Sequence, residues 1–341
     1  RCERFDRPSD LSSCDTGSEI FEVARSVPRG LVDVIAAGHT HGAVAHQVNG
    51  IGIVQPFSHG RAFGRIDLVF DRQARRVARI QQFPPTQVCA EQEHSTGNCV
   101  PGATPAAPTQ YEGRHVAFDP AIVQAMAPAL ERVRRLQATA IGGALPGPLR
   151  RAGDFGSPLG DVFADAMRAA VPAADVAVIN NSTRGLRADI SAGPITFGRL
   201  YDVFPFDNRI ARVALGGGDL RRWLAREIQQ NRRGGLGISG VSVHASCLPD
   251  GIHVDLLRAV GPPIQDTDRL LVVTIGYPTP SGGVAGAAPD GFASIGNMPV
   301  VREVVEDWWR RQARPMPGSL EHADRRLELA GRQTAACIDP H

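Results

Sequence analysis

An apolar run, GLVDVIAA at 30–37, passes directly into Gly38-His39-Thr40-His41-Gly42. A short Val/Ile-bearing run closed off by glycine predicts a buried strand over 30–37. Side chains of an extended chain alternate, so residues two apart point to the same side. Gly38 lets the backbone turn where the strand ends, and the imidazoles of His39 and His41 can then converge on one cavity. Imidazole suits Zn, Mn, Fe or Co without choosing among them. The first expectation is therefore a sheet edge that presents two candidate metal ligands, His39 and His41.

At 341 residues the chain suits two domains. Its 43% hydrophobic and 21% charged residues are ordinary globular values, enough to bury a sizeable core. The formal net charge of +2 excludes a nucleic-acid polymer or an anionic membrane held by bulk charge. Every basic side chain other than histidine is Arg. Codon bias explains that most simply, although the planar guanidinium fork also suits phosphate better than an ammonium does.

Six cysteines stand at 2, 14, 89, 99, 247 and 337. The intervals 2–14 and 89–99 are short and polar, which suits local disulfides, although fifteen pairings of six cysteines are possible. Neither interval has CxxC zinc-knuckle spacing. An oxidising location follows: periplasm, cell surface or medium. No apolar run reaches membrane-spanning length. The chain opens at Arg1 in a polar loop without Met, so residues upstream are expected; nothing in the sequence sets an oligomeric state.

Along the chain, a short helix is predicted over 18–26 and alternating β-branched stretches over 43–54, 64–70 and 77–83. Residues 84–113, rich in Pro, Thr, Gly and Gln, read as a connector. Asp119-Pro120 opens a helix over 119–139, with Ile122, Val123, Met126, Leu130, Val133 and Leu136 at helical spacing. A second unit follows, with a helix over 159–170, a strand over 176–179, further strands up to about residue 275, and a helix over 300–312.

VDVIAAGHTH resembles the last block of the calcineurin-like metallophosphoesterases, an apolar strand followed by GH-x-H. In that family each histidine ligates one of two metals, which the resemblance assigns to His39 and His41. His46 and His59 are expected near the same edge with lesser roles. The second unit resembles the 5'-nucleotidase carboxy-terminal domain over a long stretch. SPLGDVFADAMR (157–168) is similar to the family's LGNLIADAM helix, and NNSTRGLRADI (180–190) to its N-x-GG-[IL]-R loop. GPITFGRLYDVFPFDN (193–208) follows G-x-IT-x-x-x-[LV]-x-x-x-x-PF-x-N, and LGGGDLRRWLARE (215–227) fits the next helix start.

The resemblance implies a fold class of α/β (α+β). Residues 1–83 would form the end of a metallophosphoesterase β-sandwich, 84–140 a connector and linker helix, and 141–341 the nucleotide-binding domain. It implies Arg187 on the phosphate, Asn181 and Asn208 as polar contacts, and Arg150 or Arg151 as a second phosphate-facing arginine. Phe206, expected exposed after Pro205, would stack a base, a contact worth about 1–3 kcal/mol in nucleic-acid systems. Tyr277 is the candidate opposing aromatic and Asp290 the ribose-binding acid, although an insertion separates Gly282-Gly283 from Asp290-Gly291-Phe292. Arg184 departs from a loop that is glycine-rich in the family.

The implied activity is hydrolysis of nucleotide 5'-monophosphates on two divalent metal ions about 3.5–4 Å apart, which clamp both oxygens of an in-line displacement. Helix 119–139 would carry a motion that brings the base to the metals. The family's other metal ligands and its catalytic histidine lie in upstream motifs (Asp-x-His, Gly-Asp-x-x-Asp, Gly-Asn-His). Residues 1–37 contain none of these and no histidine. The expectation is a chain that recognises a nucleotide and, alone, has little hydrolase activity. Hydrolysis of 2',3'-cyclic nucleotides, UDP-sugars or sulfur-bearing substrates on the same scaffold, and nucleotide binding without catalysis, are the alternatives.

Overall fold

The computed structural model describes residues 1–89, 91, 99–100, 110–151, 156–180, 185–230, 235–258, 261–276, 296–312 and 326–330. They belong to two units, Arg1–Pro120 and Ala121–His341.

The first unit is organised around a tight hairpin. Helix α1 (Glu19–Ser26) precedes β1 (Val34–Ala36), β2 (Ala43–Val48) and β3 (Ile51–Pro56). Asn49 and Gly50 join β2 to β3, both at positive φ (56° and 82°). Two left-handed residues give the turn whose twist matches antiparallel strands, and Asn-Gly tolerates it at least cost. The Asn49 side chain also donates to the Val27 carbonyl at 2.8 Å, tying the end of α1 to the turn. The strand order is β1-β3-β2, with β1 parallel to β3.

Both faces of this sheet are covered. On one, Val44, Val48 and Ile53 meet Phe21 and Ala24 of α1 together with Cys2. On the other lies the hairpin β5 (Ile66–Asp71) and β6 (Arg76–Gln82), which follows β4 (Ala62–Phe63). A Cβ added at Gly52 would stand 3.0 Å from Ile80 Cγ2, so a side chain there would push the hairpin off the sheet. Gln82 donates to the Ile53 carbonyl and Gln47 to the Ile80 carbonyl across the same gap. Strand β7 (Thr86–Gln87) pairs with β4, and β8 (Gln110–Tyr111) with β9 (Arg114–His115). The strand expected over 30–37 is shorter, and it is half-buried to exposed rather than buried. Among the described residues β1 is an edge strand bonded only to β3, and Leu31 is 72% exposed.

Disulfides join Cys2 to Cys14 and Cys89 to Cys99, as neighbour pairing anticipates, and Cys247 is disulfide-bonded as well.

The second unit has three layers. It begins with α2 (Pro120–Ala138), β10 (Ala140–Leu145), α3 (Pro158–Ala170) and β11 (Val176–Asn180). Next come β12 (Gly193–Thr196), α4 (Phe197–Val203), β13 (Ile210–Gly216), α5 (Gly217–Gln230) and β14 (Leu236–Ser239). The chain continues through β15 (Val241–Leu248), β16 (Gly251–Arg258), β17 (Arg269–Ile275), α6 (Val301–Arg311) and β18 (Leu327–Ala330). The central sheet runs β13-β17-β11-β14, in which only β11 and β17 are parallel.

Strand alternation divides its apolar residues between two cores. Ala177, Ile179, Val273 and Ile275 face α3, α6 and the β10–β12 pair. Val176, Val178, Val213 and Val272 face α5 and the second sheet, β16-β15-β18. A Cβ at Gly237 would lie 2.2 Å from the Gly160 backbone, so α3 and β14 meet backbone to backbone. Trp309 of α6 is fully buried. Helix α2 forms where its pattern predicts, yet none of its residues is buried, and its apolar stripe from Ile122 to Leu136 is 43–58% exposed. Helical spacing established the stripe but does not say what covers it.

Asp161, at the Asn of the family's LGN pattern, accepts the Ile238 N–H at 2.8 Å. Burial raises its pKa from the ordinary 3.8 to about 7, against the opposing effects of the Ile238 N–H and the Arg326 charge. Arg326 is bound through both Nη atoms to the neighbouring Asp165 and also donates to the Ile238 carbonyl. The folded state therefore holds the Asp161 proton more tightly than the unfolded chain. Its contribution to stability is complete below about pH 4 and is lost as pH rises to about 7. Asp161→Asn keeps the acceptor and removes the charge. Thermal melts should show a flatter pH dependence between 4 and 7 and a higher Tm than the parent at pH 8; an unchanged profile would contradict the assignment.

Candidate functional site

Parallel strands end on the same side, and both units use this. In the first, Ala36 of β1 is level with Val54 of β3, so the loops that follow them are neighbours. One carries His39 and His41, the other Phe57 and His59, and all four have positive φ. Left-handed backbone costs a non-glycine residue about 1–2 kcal/mol, so something must hold these loops. Gln55, 4% exposed, reaches under the first loop and donates to Thr40 Oγ1 at 2.8 Å and to the Gly42 carbonyl at 3.0 Å. The Phe57 N–H adds a bond to the same carbonyl at 3.0 Å. The loop is thus pinned from inside while His39 and His41 remain exposed. Sequence reading missed Gln55, whose only signal is a polar residue within an apolar strand.

The rings of His41 and His59 meet edge to face, 4.9 Å between centroids. His39 and His41 can each offer one ring nitrogen to a metal. Neither joins a cluster of three donors among the described residues. They fit as part of a ligand set. His46, expected near this edge, instead lies fully buried in the middle of β2, where burial holds its pKa below the ordinary value against the opposing charge of Asp10.

In the second unit, four motifs meet at one end of the central sheet. Strand β11 ends at Asn180 and the parallel β17 ends on the same side at Ile275. Strand β13, antiparallel to β17, begins there with Ile210 opposite Ile275, just after Phe206 and Asn208. Leu236 of β14 sits beside Asn180 and bridges Gly156, ahead of α3. The motifs lie tens of residues apart in sequence, and strand direction brings them together.

Two hydrogen-bond groups fix their local arrangement. The Arg187 N–H donates to the Val203 carbonyl at 2.9 Å, setting its loop against the end of α4. Arg151 Nη1 donates to the Leu186 carbonyl at 3.2 Å and the Arg187 carbonyl at 2.8 Å, while its N–H donates to Asp189 at 2.9 Å. Arg151, expected as a phosphate contact, also braces the segment that carries Arg187 through these bonds. Phe206 is half-buried rather than exposed, because it packs on the core with its ring centroid 5.3 Å from that of Phe204 and the two rings nearly perpendicular. Arg302 holds the same turn by donating to the Phe206 carbonyl at 2.9 Å and pairing with Asp207. Asn208 donates to the Gly276 carbonyl at 2.7 Å, at the end of β17. Asn181, Arg184, Tyr277 and Asp290 lie outside the described residues.

Residues 138–288 match the family described as the 5'-nucleotidase C-terminal domain. The chain is similar to Endonuclease YhcR of Bacillus subtilis, 29% identical over 238 residues that make up 69% of this chain and 17% of that protein. It is also similar to Protein UshA of Yersinia enterocolitica, 22% identical over 301 residues, 82% of this chain and 51% of that protein. A Staphylococcus aureus crystal structure assigned as a 5'-nucleotidase aligns with a TM-score of 0.54 at 15% identity, over 89% of this chain and 59% of that one. That likeness supports the mixed α/β fold. The chain spans about half or less of the length of these curated relatives.

Two substitutions separate the pinning of the histidine loop from the histidines themselves. Gln55→Leu should lower stability by about 1–2 kcal/mol in denaturant melts, the net worth of its hydrogen bonds. It should also speed amide exchange across residues 38–42. His41→Gly relieves the left-handed strain but adds unfolded-chain entropy, so stability should stay within about 0.5 kcal/mol of the parent. A large loss would show the ring to be a structural contact.

Proposed function

We propose, from the match of residues 138–288 to the 5'-nucleotidase C-terminal domain, that this chain is part of a metal-dependent phosphohydrolase that cleaves nucleotide 5'-monophosphates to nucleoside and phosphate. The observation that carries the reading is the bond from Arg187 to the Val203 carbonyl. It fixes the phosphate-gripping candidate at the sheet end that also holds Phe206. A guanidinium fork donates two parallel charge-assisted hydrogen bonds to phosphate oxygens, and Arg151 limits the drift of that segment. The exposed part of the Phe206 ring offers a face to the base, with Asn208 bonded to the Gly276 carbonyl. Asn181, Tyr277 and Asp290 complete the proposed substrate contacts.

His39 and His41 are the proposed metal ligands of this chain, one imidazole for each of two divalent ions. Bound there, the ions supply Lewis-acid activation of water and neutralise charge on the phosphoryl oxygens. The histidines orient their donors through the loop pinned by Gln55. Bonded cysteines in both units favour an oxidising location such as the periplasm or cell surface. Among the described residues no helix is long and apolar enough to cross a membrane. The endonuclease relative shares only 17% of its own length, and the low net charge gives a nucleic-acid polymer little general attraction.

Titration calorimetry with AMP and UMP tests the binding half. Arg187→Ala should weaken either nucleotide at least about tenfold, or about 1.4 kcal/mol, with metal content unchanged; equal affinity would remove Arg187 from the site. Metal analysis tests the other half. His41→Gly should lower the stoichiometry of bound Zn or Mn, and full occupancy in that variant would refute the ligand role. Parallel assays with 2',3'-cyclic nucleotides and UDP-sugars identify the substrate class.

A further inference from the structure

A second group of metal-ligating side chains lies away from the histidine loops, under the first fifteen residues of the chain. The Cys2 N–H donates to the Ala43 carbonyl at 2.8 Å, and Cys2 and Cys14 face each other in an antiparallel bridge. That bridge lies against β2, where His46 projects from the same face as Val44 and Val48. One sulfur from each cysteine and one imidazole nitrogen of His46 all lie within 4.8 Å of one another. Cys2 is 5% exposed and His46 fully buried. The ring is weakly partnered: Nδ1 takes the Ala45 N–H at 3.3 Å, the Asp10 backbone acts on the imidazole, and the buried Nε2 has no partner at good hydrogen-bond geometry among the described residues. An unsatisfied buried polar atom costs about 1–3 kcal/mol, so a fully buried imidazole in this state invites a reason.

We propose that Cys2, Cys14 and His46 form a redox-gated site for a thiophilic divalent cation, closed by the disulfide and opened by its reduction. While the sulfurs are bonded to each other, neither is a thiolate and no metal is held. A dithiol reductant supplies two electrons and two protons, the Cys2–Cys14 bond breaks into two thiols, and the reductant becomes its own disulfide. Binding of Zn2+ then displaces the two thiol protons to solvent. Two thiolates and one neutral imidazole give the doubly charged ion a formally neutral shell, which suits surroundings that include Phe5, Phe21 and Val44. Zinc takes such donors at about 2.3 Å for sulfur and 2.0–2.1 Å for nitrogen, with water completing the tetrahedron. The site would tie the amino-terminal loop to β2 under reducing conditions, when the covalent tie is absent. This inference does not depend on the nucleotidase reading.

Cobalt substitution of the whole chain provides the test. Under anaerobic conditions the dithiol-reduced protein should take up one equivalent of Co2+ with thiolate-to-cobalt charge-transfer absorption. The oxidised protein and reduced Cys2→Ser/Cys14→Ser should not show this absorption, although the other cysteines remain. Cobalt held by His39 and His41 alone lacks this absorption and does not confuse the reading. His46→Gln should weaken the reduced site at least tenfold while its oxidised form keeps the parent circular dichroism. Should that variant fail to fold, X-ray absorption on the zinc-loaded reduced parent decides, with two sulfurs and an imidazole nitrogen expected. Absence of the bands from the reduced parent, equal bands in the double serine variant, or a zinc shell without imidazole would each overturn the proposal.

Discussion

Strand direction is the constraint on which both candidate sites depend. Two parallel neighbours must release their chains on the same side, and loops that leave there have sheet beneath them and solvent above. In the first unit β1 and β3 do this, and their loops bring His41 against His59. In the second, β11 and β17 do it, and antiparallel β13 and β14 begin at the same end. Crevices at the carboxyl ends of strands are where open α/β sheets bind ligands.

Hydrogen bonds from side chains to distant backbone carbonyls hold those loops in place. Gln55, Arg151, Arg302 and Asn208 each donate to backbone carbonyls of a neighbouring segment. A carbonyl acceptor exists in every residue, so bonds of this kind leave almost no mark in the sequence. Arg151 makes the point: its position before the α3 motif suggests a ligand contact, and only the structure shows that its Nη1 also bonds the segment that carries Arg187. Phe206 makes a related one. Its place after Pro205 suggests an exposed ring, and only the packing of Phe204 beside it shows that the ring is partly covered by the core.

Local elements were legible wherever a periodic apolar pattern met a clear end signal. Helix α3 forms with Ser157 as its cap and Pro158 in its first turn, α2 follows its Asp-Pro start, and α6 its apolar spacing. The two described disulfides join nearest neighbours because short polar loops allow nothing more distant at lower cost. Strand β1 was less legible: an apolar run states that burial would be favourable, while the elements around it decide how much burial occurs. The same holds for the stripe on α2, which is amphipathic by sequence and exposed among the described residues.

The sequence by itself determined most helix and strand types, the position of His39 and His41 at a strand end, and the order of motifs in the second unit. These follow from periodicity, glycine and proline placement, and residue chemistry, all of which act within a few residues. Tertiary structure alone decided that β1 lies at a sheet edge, that Phe206 is half-covered, that Arg151 braces Arg187, and that Asp161 holds its proton to about pH 7. It also decided that His46 lies buried beside the Cys2–Cys14 bond. Burial, desolvation and hydrogen bonds to distant carbonyls depend on which segments meet, and that is set by strand pairing across long stretches of chain.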